Sequence, residues 1–155
     1  MLNQLNQLSL AAEGRYATAQ ELQLLKDYFP TVNVRLSAYQ KLRDREAEII
    51  EKVEVRMREK QPHIFQMGDK DVAEMYQRDT RTLLRIALAS MLIEDLDRLR
   101  ENLLLWHQTI AKAFKFGHIS ALAHKTMPEI IEQFLTPEEY AVIQPILILN
   151  QTVFS

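Results

Sequence analysis

The sequence predicts an all-α protein, and three observations carry that expectation. Only 3 of its 155 residues are Gly, 8% are aromatic and 26% charged, and Leu, Glu, Arg, Gln and Ala abound; this is a helix-forming composition. Apolar residues recur at steps of three and four through most of the chain. No segment alternates long enough to read as a strand. At this length one domain is expected, residues 1–155, large enough to bury a core without staples. Within it, residues 1–29 read as an N-terminal helical hairpin and 31–155 as a helical core.

In the hairpin, Leu2, Leu5 and Leu8, with Leu10 and Ala12, predict a short amphipathic helix ending near Glu13-Gly14. Thr18 and Glu21 form a capping-box pattern that opens a second helix to about Phe29. Pro30 is expected to stop it and Thr31 to cap the next. Helices this short need a surface to dock on, so the pair reads either as a lid on the body or as a partner-docking element.

Leu36, Tyr39, Leu42, Glu46, Ile49, Ile50, Val53 and Met57 predict helix from Val32 to Lys60, with a break near the charged Arg43–Arg45. Gln61-Pro62 ends it, and His63 to Lys70 reads as a loop. The central stretch, Val72 to Asp95, places Val72, Met75, Tyr76, Asp79, Leu83, Ile86, Ser90 and Ile93 on one helix face. Past Leu83 the helix is apolar nearly all round, which predicts burial from several sides. A further stripe, Leu96, Leu99, Leu103, Trp106, His107, Ile110 and Phe114, predicts a helix ended by Lys115-Phe116-Gly117. Residues 119–135 read as helix with a restart at Pro128. Thr136-Pro137-Glu138-Glu139 starts a final apolar helix, with a kink expected at Pro145. Seven or eight helices, roughly, are expected.

A net charge of −2 argues against nucleic acid or a polybasic membrane patch. The absence of cysteine excludes disulfides, thiolate metal sites, cysteine nucleophiles and thioether-linked cofactors. No apolar run reaches the roughly 18 residues of a membrane span, and Met1 to Ala12 carries no basic n-region, so no membrane insertion and a cytoplasmic setting are expected. There is no G-x-S-x-G, P-loop or glycine-rich phosphate cradle, and no E-x-x-H or H-E-x-x-H pair, so enzyme and metal-site readings lack support.

Two features point to ligand or partner binding. Asp79 stands on a face that is otherwise apolar and has no cation among its same-face neighbours, so it must stay protonated, stand partly exposed, or find a partner elsewhere in the fold or in a ligand with N–H donors. Glu74, Arg78, Arg81 and Arg85 follow one flank of the helix, either as a solvated stripe with a Glu74–Arg78 pair or as a basic rim for an acidic ligand or partner helix. Of the four histidines, His63 and His118 are expected exposed. His107, beside an apolar stripe, is the best candidate for a haem ligand, set against an ordinary edge-of-core role. Trp106 and Phe114 are at core spacing.

Gly14-Arg15-Tyr16, TAQELQLLKDYF, Arg35-Leu36 and EAEIIEKV, followed by YQRDTRTLLRIALASMLIED, resemble the phycobiliprotein subunits of cyanobacterial light-harvesting antennae, the allophycocyanin-like α and β chains. The resemblance runs to about Phe114. It implies a globin-like helical core preceded by a two-helix extension that docks on a partner subunit. Arg78 and Asp79 match the family's Arg-Asp pair, whose Asp accepts hydrogen bonds from the pigment's pyrrole N–H groups. The pigment-attaching cysteine is replaced by Tyr76, so covalent bilin is excluded. The basic pair that meets the propionates falls on Asp71-Val72, and the G-G-N element is missing around Gln66-Met67-Gly68. The acid that meets the Arg85 position across the dimer is Ala11, with Glu13 nearby. The expectation is a phycobilisome-related, non-enzymatic protein without covalent bilin, acting through protein–protein contacts in antenna assembly, turnover or regulation, where antenna proteins could also hold it at the thylakoid surface. Its docking surface would be Leu2, Leu5, Leu8, Leu22, Leu25, Phe29 and Arg85, and its partner an antenna subunit or a second copy in a homodimer. The alternatives are a carrier binding bilin or another tetrapyrrole non-covalently through Asp79, Arg78 and Tyr76, and a haem-binding sensor globin using His107.

Overall fold

The computed structural model describes residues 2–154, apart from the side chains of Leu2, Asn3, Arg98, Asn102 and Leu103. Helices α1 (Leu2–Ala11) and α2 (Gln23–Tyr28) form the N-terminal extension. The body is α3 (Val32–Asp44), α4 (Glu46–Lys60), α5 (Ala73–Ile93), α6 (Leu96–Leu99), α7 (Leu105–Ala113), α8 (Gly117–Ile131) and α9 (Pro137–Phe154). Between α4 and α5, strands β1 (Gln66–Met67) and β2 (Lys70–Asp71) pair antiparallel about Gly68, which takes φ +61°.

The expected Thr18–Glu21 box forms: each amide donates to the other's side chain, at 2.7 and 3.2 Å. Arg15 clamps the same Glu21 carboxylate with two donors, at 3.0 and 2.7 Å, which holds that carboxyl down at about 2. Regular helix starts only at Gln23. Pro30 does not stop the chain's helical course. It sits in a 3-10 turn, Phe29–Thr31, leading directly into α3, where a residue without an N–H is tolerated. Thr31 is no side-chain cap: its hydroxyl donates to Tyr28 O and accepts from Arg35 Nε.

The charged stretch breaks as expected. Arg45, at φ −109° and ψ 11°, separates α3 from α4. Helix α5 ends at Glu94 in the left-handed region. A π-turn over Arg100–Leu104 joins α6 to α7. That extra residue per turn shifts the stripe: Leu99, Leu104 and Ala111 face the core, whereas Trp106 and Phe114 are each 61% exposed. Their spacing predicted core; the shifted register overrides it. After α7 the left-handed position is filled by Lys115, at φ +63°, and Gly117 begins α8. Helix α8 runs through Pro128 without the expected restart.

The core lies where α3, α4, α5, α8 and α9 meet. Leu42, Ile49, Val53, Met57, Met91, Ile131 and Ile143 are fully buried there. Glu139 fastens α9 to α3. Its carboxylate caps the Thr136 amide at 2.8 Å and accepts from Ser37 Oγ and Lys41 Nζ, both at 2.7 Å. Burial alone would raise this group, but these donors hold it at about 2.

Candidate functional site

The N-terminal half of α5 has two working faces. Ala73, Tyr76, Thr80 and Leu84 are buried at helical spacing, while Val72, Met75, Asp79 and Leu83, one position round, are only partly covered. The stripe expected to be core therefore divides between core and the wall of a cavity. Val72, Met75, Tyr76, Asp79, Thr80 and Leu83 line this cavity, of about 290 Å³, opposite Ile110 and Ala111 of α7, Phe114 just after it, and Ile119, Ala123 and Met127 of α8. His107, Phe116, Ser120 and His124 complete the lining. Mostly apolar walls with a few polar groups are usual for small-molecule sites.

Of the placements open to Asp79, partial exposure is the one it takes. It stands at the edge of the lining, 46% exposed, and pairs with Arg78 Nε at 3.2 Å. A half-turned helix face keeps it hydrated, so neighbouring Arg78 suffices as partner, and Arg78 does not pair with Glu74. Arg78 itself is 73% exposed.

Tyr76 is 8% exposed and packs against Phe65, ring centroids 5.0 Å apart. Its ring joins the core cluster and only borders the cavity. Burial raises the phenol, with Thr80 as a weak counteracting hydrogen-bond neighbour, so it stays a protonated donor at any ordinary pH. Tyr76 Oη makes no hydrogen bond of standard geometry.

His107 is half-buried, and burial pushes it down despite the opposing charge of Asp79. His124, to which the sequence pattern assigns no role, is the deeper of the two. It is 8% exposed, stacks on Phe154 at 4.3 Å, and burial lowers it to about 3. His107 meets the same Phe154 ring edge-on at 5.4 Å. One signal could have found it: His124 repeats with Ser120, Met127 and Ile131 at steps of three and four. His63 and His118 are exposed, as expected.

The residues expected to dock a partner lie on the extension, apart from Arg85 on α5. Leu5, Leu8, Leu22 and Leu25 are half-buried, Phe29 is 62% exposed, and the side chain of Leu2 lies outside the described residues. Leu10 and Tyr16 add 66% and 98% exposed apolar surface nearby. Tyr28 ties the extension to the body by donating to Leu92 O at 2.5 Å. Arg85 is not an unengaged rim cation: it grips Glu46 of α4 with two donors, at 2.6 and 2.8 Å, and Arg81 lies 3.8 Å from the same carboxylate.

An all-α body preceded by a two-helix extension gives the chain a globin-like architecture. The profile described as "Phycobilisome protein" matches residues 8–150. The chain belongs to that family. A search of curated proteins returns no match. Among the described residues no helix is long and apolar enough to cross a membrane.

Proposed function

We propose that this phycobilisome-family member carries no covalent pigment, has no enzymatic role, and works through protein contacts in the assembly, turnover or regulation of the light-harvesting antenna. The observation that carries the reading is Tyr76. It stands where the resemblance places the attachment cysteine, its ring is committed to the core against Phe65, and the chain has no other cysteine. The exposed apolar side chains of the extension support docking on an antenna subunit or a second copy, since such surface is costly to leave in water. In the cell the protein would sit in the cytoplasm or at the thylakoid surface through its antenna partners.

Size-exclusion chromatography with light scattering, alone and with purified antenna proteins, tests this reading. The expected result is a dimer or a complex that Leu25→Asp and Phe29→Asp abolish while the helical circular-dichroism signal persists. A strict monomer under both conditions overturns it.

The surviving cavity beside Asp79 favours a second reading, non-covalent binding of bilin or another tetrapyrrole through Asp79, Arg78 and Tyr76. An absorption spectrum after co-expression with bilin and haem supply separates the two. A shifted red band lost in Asp79→Ala supports the carrier reading against the pigment-free one. A Soret band lost in His107→Ala points instead to haem.

A further inference from the structure

The π-turn over Arg100–Leu104 leaves two large rings on the surface: Trp106 and Phe114 are each 61% exposed. Leu105, at 44%, adds to the apolar surface of the same helix. Turns of this kind are uncommon inside helices and concentrate at functional sites. Exposed rings are the usual anchors of protein–protein contacts, Trp above all.

The charge around these rings differs from that on the rest of the molecule. From residue 102 to 128 the chain carries Lys112, Lys115 and Lys125 and no Asp or Glu. All three lysines are exposed, and among the described residues none makes an ion pair. On α4 the opposite holds. Arg56 pairs with Glu59 at 2.9 Å, Arg58 with Glu54 at 2.8 Å and Lys60 with Glu129 at 3.1 Å. Asp79, which lines the cavity with Phe114, is already paired with Arg78. Lys112 lies in the last turn of α7 and Lys115 just beyond it, on either side of Phe114 in the chain. Exposed rings and uncompensated cations therefore share one patch. It is also separate from the extension, which Tyr28 ties to Leu92, about 20 Å along α5 from Asp79.

We propose that the outer face of α7 and the turn after it dock an acidic, amphipathic segment of a partner protein, whose apolar side chains cover Trp106 and Phe114 and whose carboxylates meet Lys112 and Lys115. From Trp106 to Phe114 the helix rises about 12 Å, so a partner helix of about two to three turns covers the patch. Complementary charge steers the encounter and fixes its orientation, while the rings supply the buried contact. An anionic membrane is held by clusters of about four to eight cations, more than this patch has. The net charge of −2 opposes nucleic acid. With this surface the protein can hold one partner through its extension and a second through α7.

Trp106 is the only Trp of the chain, so its emission reports on the patch directly. The test titrates the full chain with three synthetic helical peptides of about four turns. All carry the same Leu and Phe stripe, with Glu, Gln or Lys at the remaining positions. The expected result is a saturable blue shift with the Glu peptide, affinity about tenfold or more lower for the Gln peptide, and no binding of the Lys peptide. Lys112→Glu combined with Lys115→Glu should reverse that order; both side chains are exposed, so the helical circular-dichroism signal should persist. Phe29→Asp, on the extension, should leave the titration unchanged. No saturable shift with the Glu peptide, equal affinity for the Glu and Lys peptides, or an order untouched by charge reversal overturns the proposal. Loss of binding in Phe29→Asp also overturns it, as does a larger shift with phosphatidylserine–phosphatidylcholine vesicles, which would assign the patch to a membrane surface.

Discussion

The two halves of α5 obey different rules. From Leu84 to Ile93 the helix is gripped from several sides, with Leu84, Ala87, Leu88 and Met91 buried against neighbouring helices. From Ala73 to Leu83 one face packs into that core while the next borders a void. The same element thus serves as a structural post at one end and as the wall of a chamber at the other. The more deeply packed half leaves little surface for a ligand; the divided half supplies one without exposing the core.

The sharpest way to break this comparison is to truncate one residue in each half. Met91→Ala, at a fully buried site, should cost about 2–5 kcal/mol in urea unfolding. Leu83→Ala, which only enlarges an existing void, should cost about 1 kcal/mol or less, because few neighbours lose contact. Equal losses would erase the distinction between the halves.

The chamber end should also respond to acid. The folded-state value of His124 is about 3, below the ordinary 6.5, so the unfolded chain binds the proton first. Stability from this group is therefore complete above about pH 6.5 and lost progressively as pH falls toward about 3. Between pH 7 and pH 5, before carboxylates titrate, the loss should be on the order of 2 kcal/mol. His124→Leu should flatten that slope in pH-dependent unfolding.

On the structural side, Glu139 works in a lower window. Its folded value of about 2 lies below the usual carboxylate range, so its contribution is present above about pH 4.5 and lost as pH falls toward about 2. Glu139→Gln should cost about 1.5–3 kcal/mol at pH 7 and remove that part of the acid transition. The smallest effect belongs to the outer flank. Arg85→Ala breaks an ion pair whose Arg85 side is 65% exposed and should shift stability by about 0.5 kcal/mol, less at high salt.

Local chemistry made much of this architecture legible in the sequence. The Thr18–Glu21 box, the helix start at Thr136-Pro137-Glu138-Glu139, the break at Arg45 and the long central helix all follow from neighbours within a turn or two. What eluded it depends on register or distance. A one-residue rotation of α5 turned an expected core stripe into a chamber wall and moved Asp79 to its rim. The π-turn before α7 put Trp106 and Phe114 outside. His124 became important only because α8 brings it beside Phe154 and the void. The engagement of Arg85 by Glu46 joins residues far apart in the chain, and no periodicity reports that.

The packing of Tyr76 on Phe65 sets the cost of any smaller side chain at this position. A cysteine here would remove a ring that fills part of the core, leaving a hole worth on the order of 3 kcal/mol. Against a total stability of about 5–15 kcal/mol for a typical domain, that is a large share of the margin. Filling the hole would need compensating changes around Phe65, so a thiol is not introduced here by a single substitution without cost.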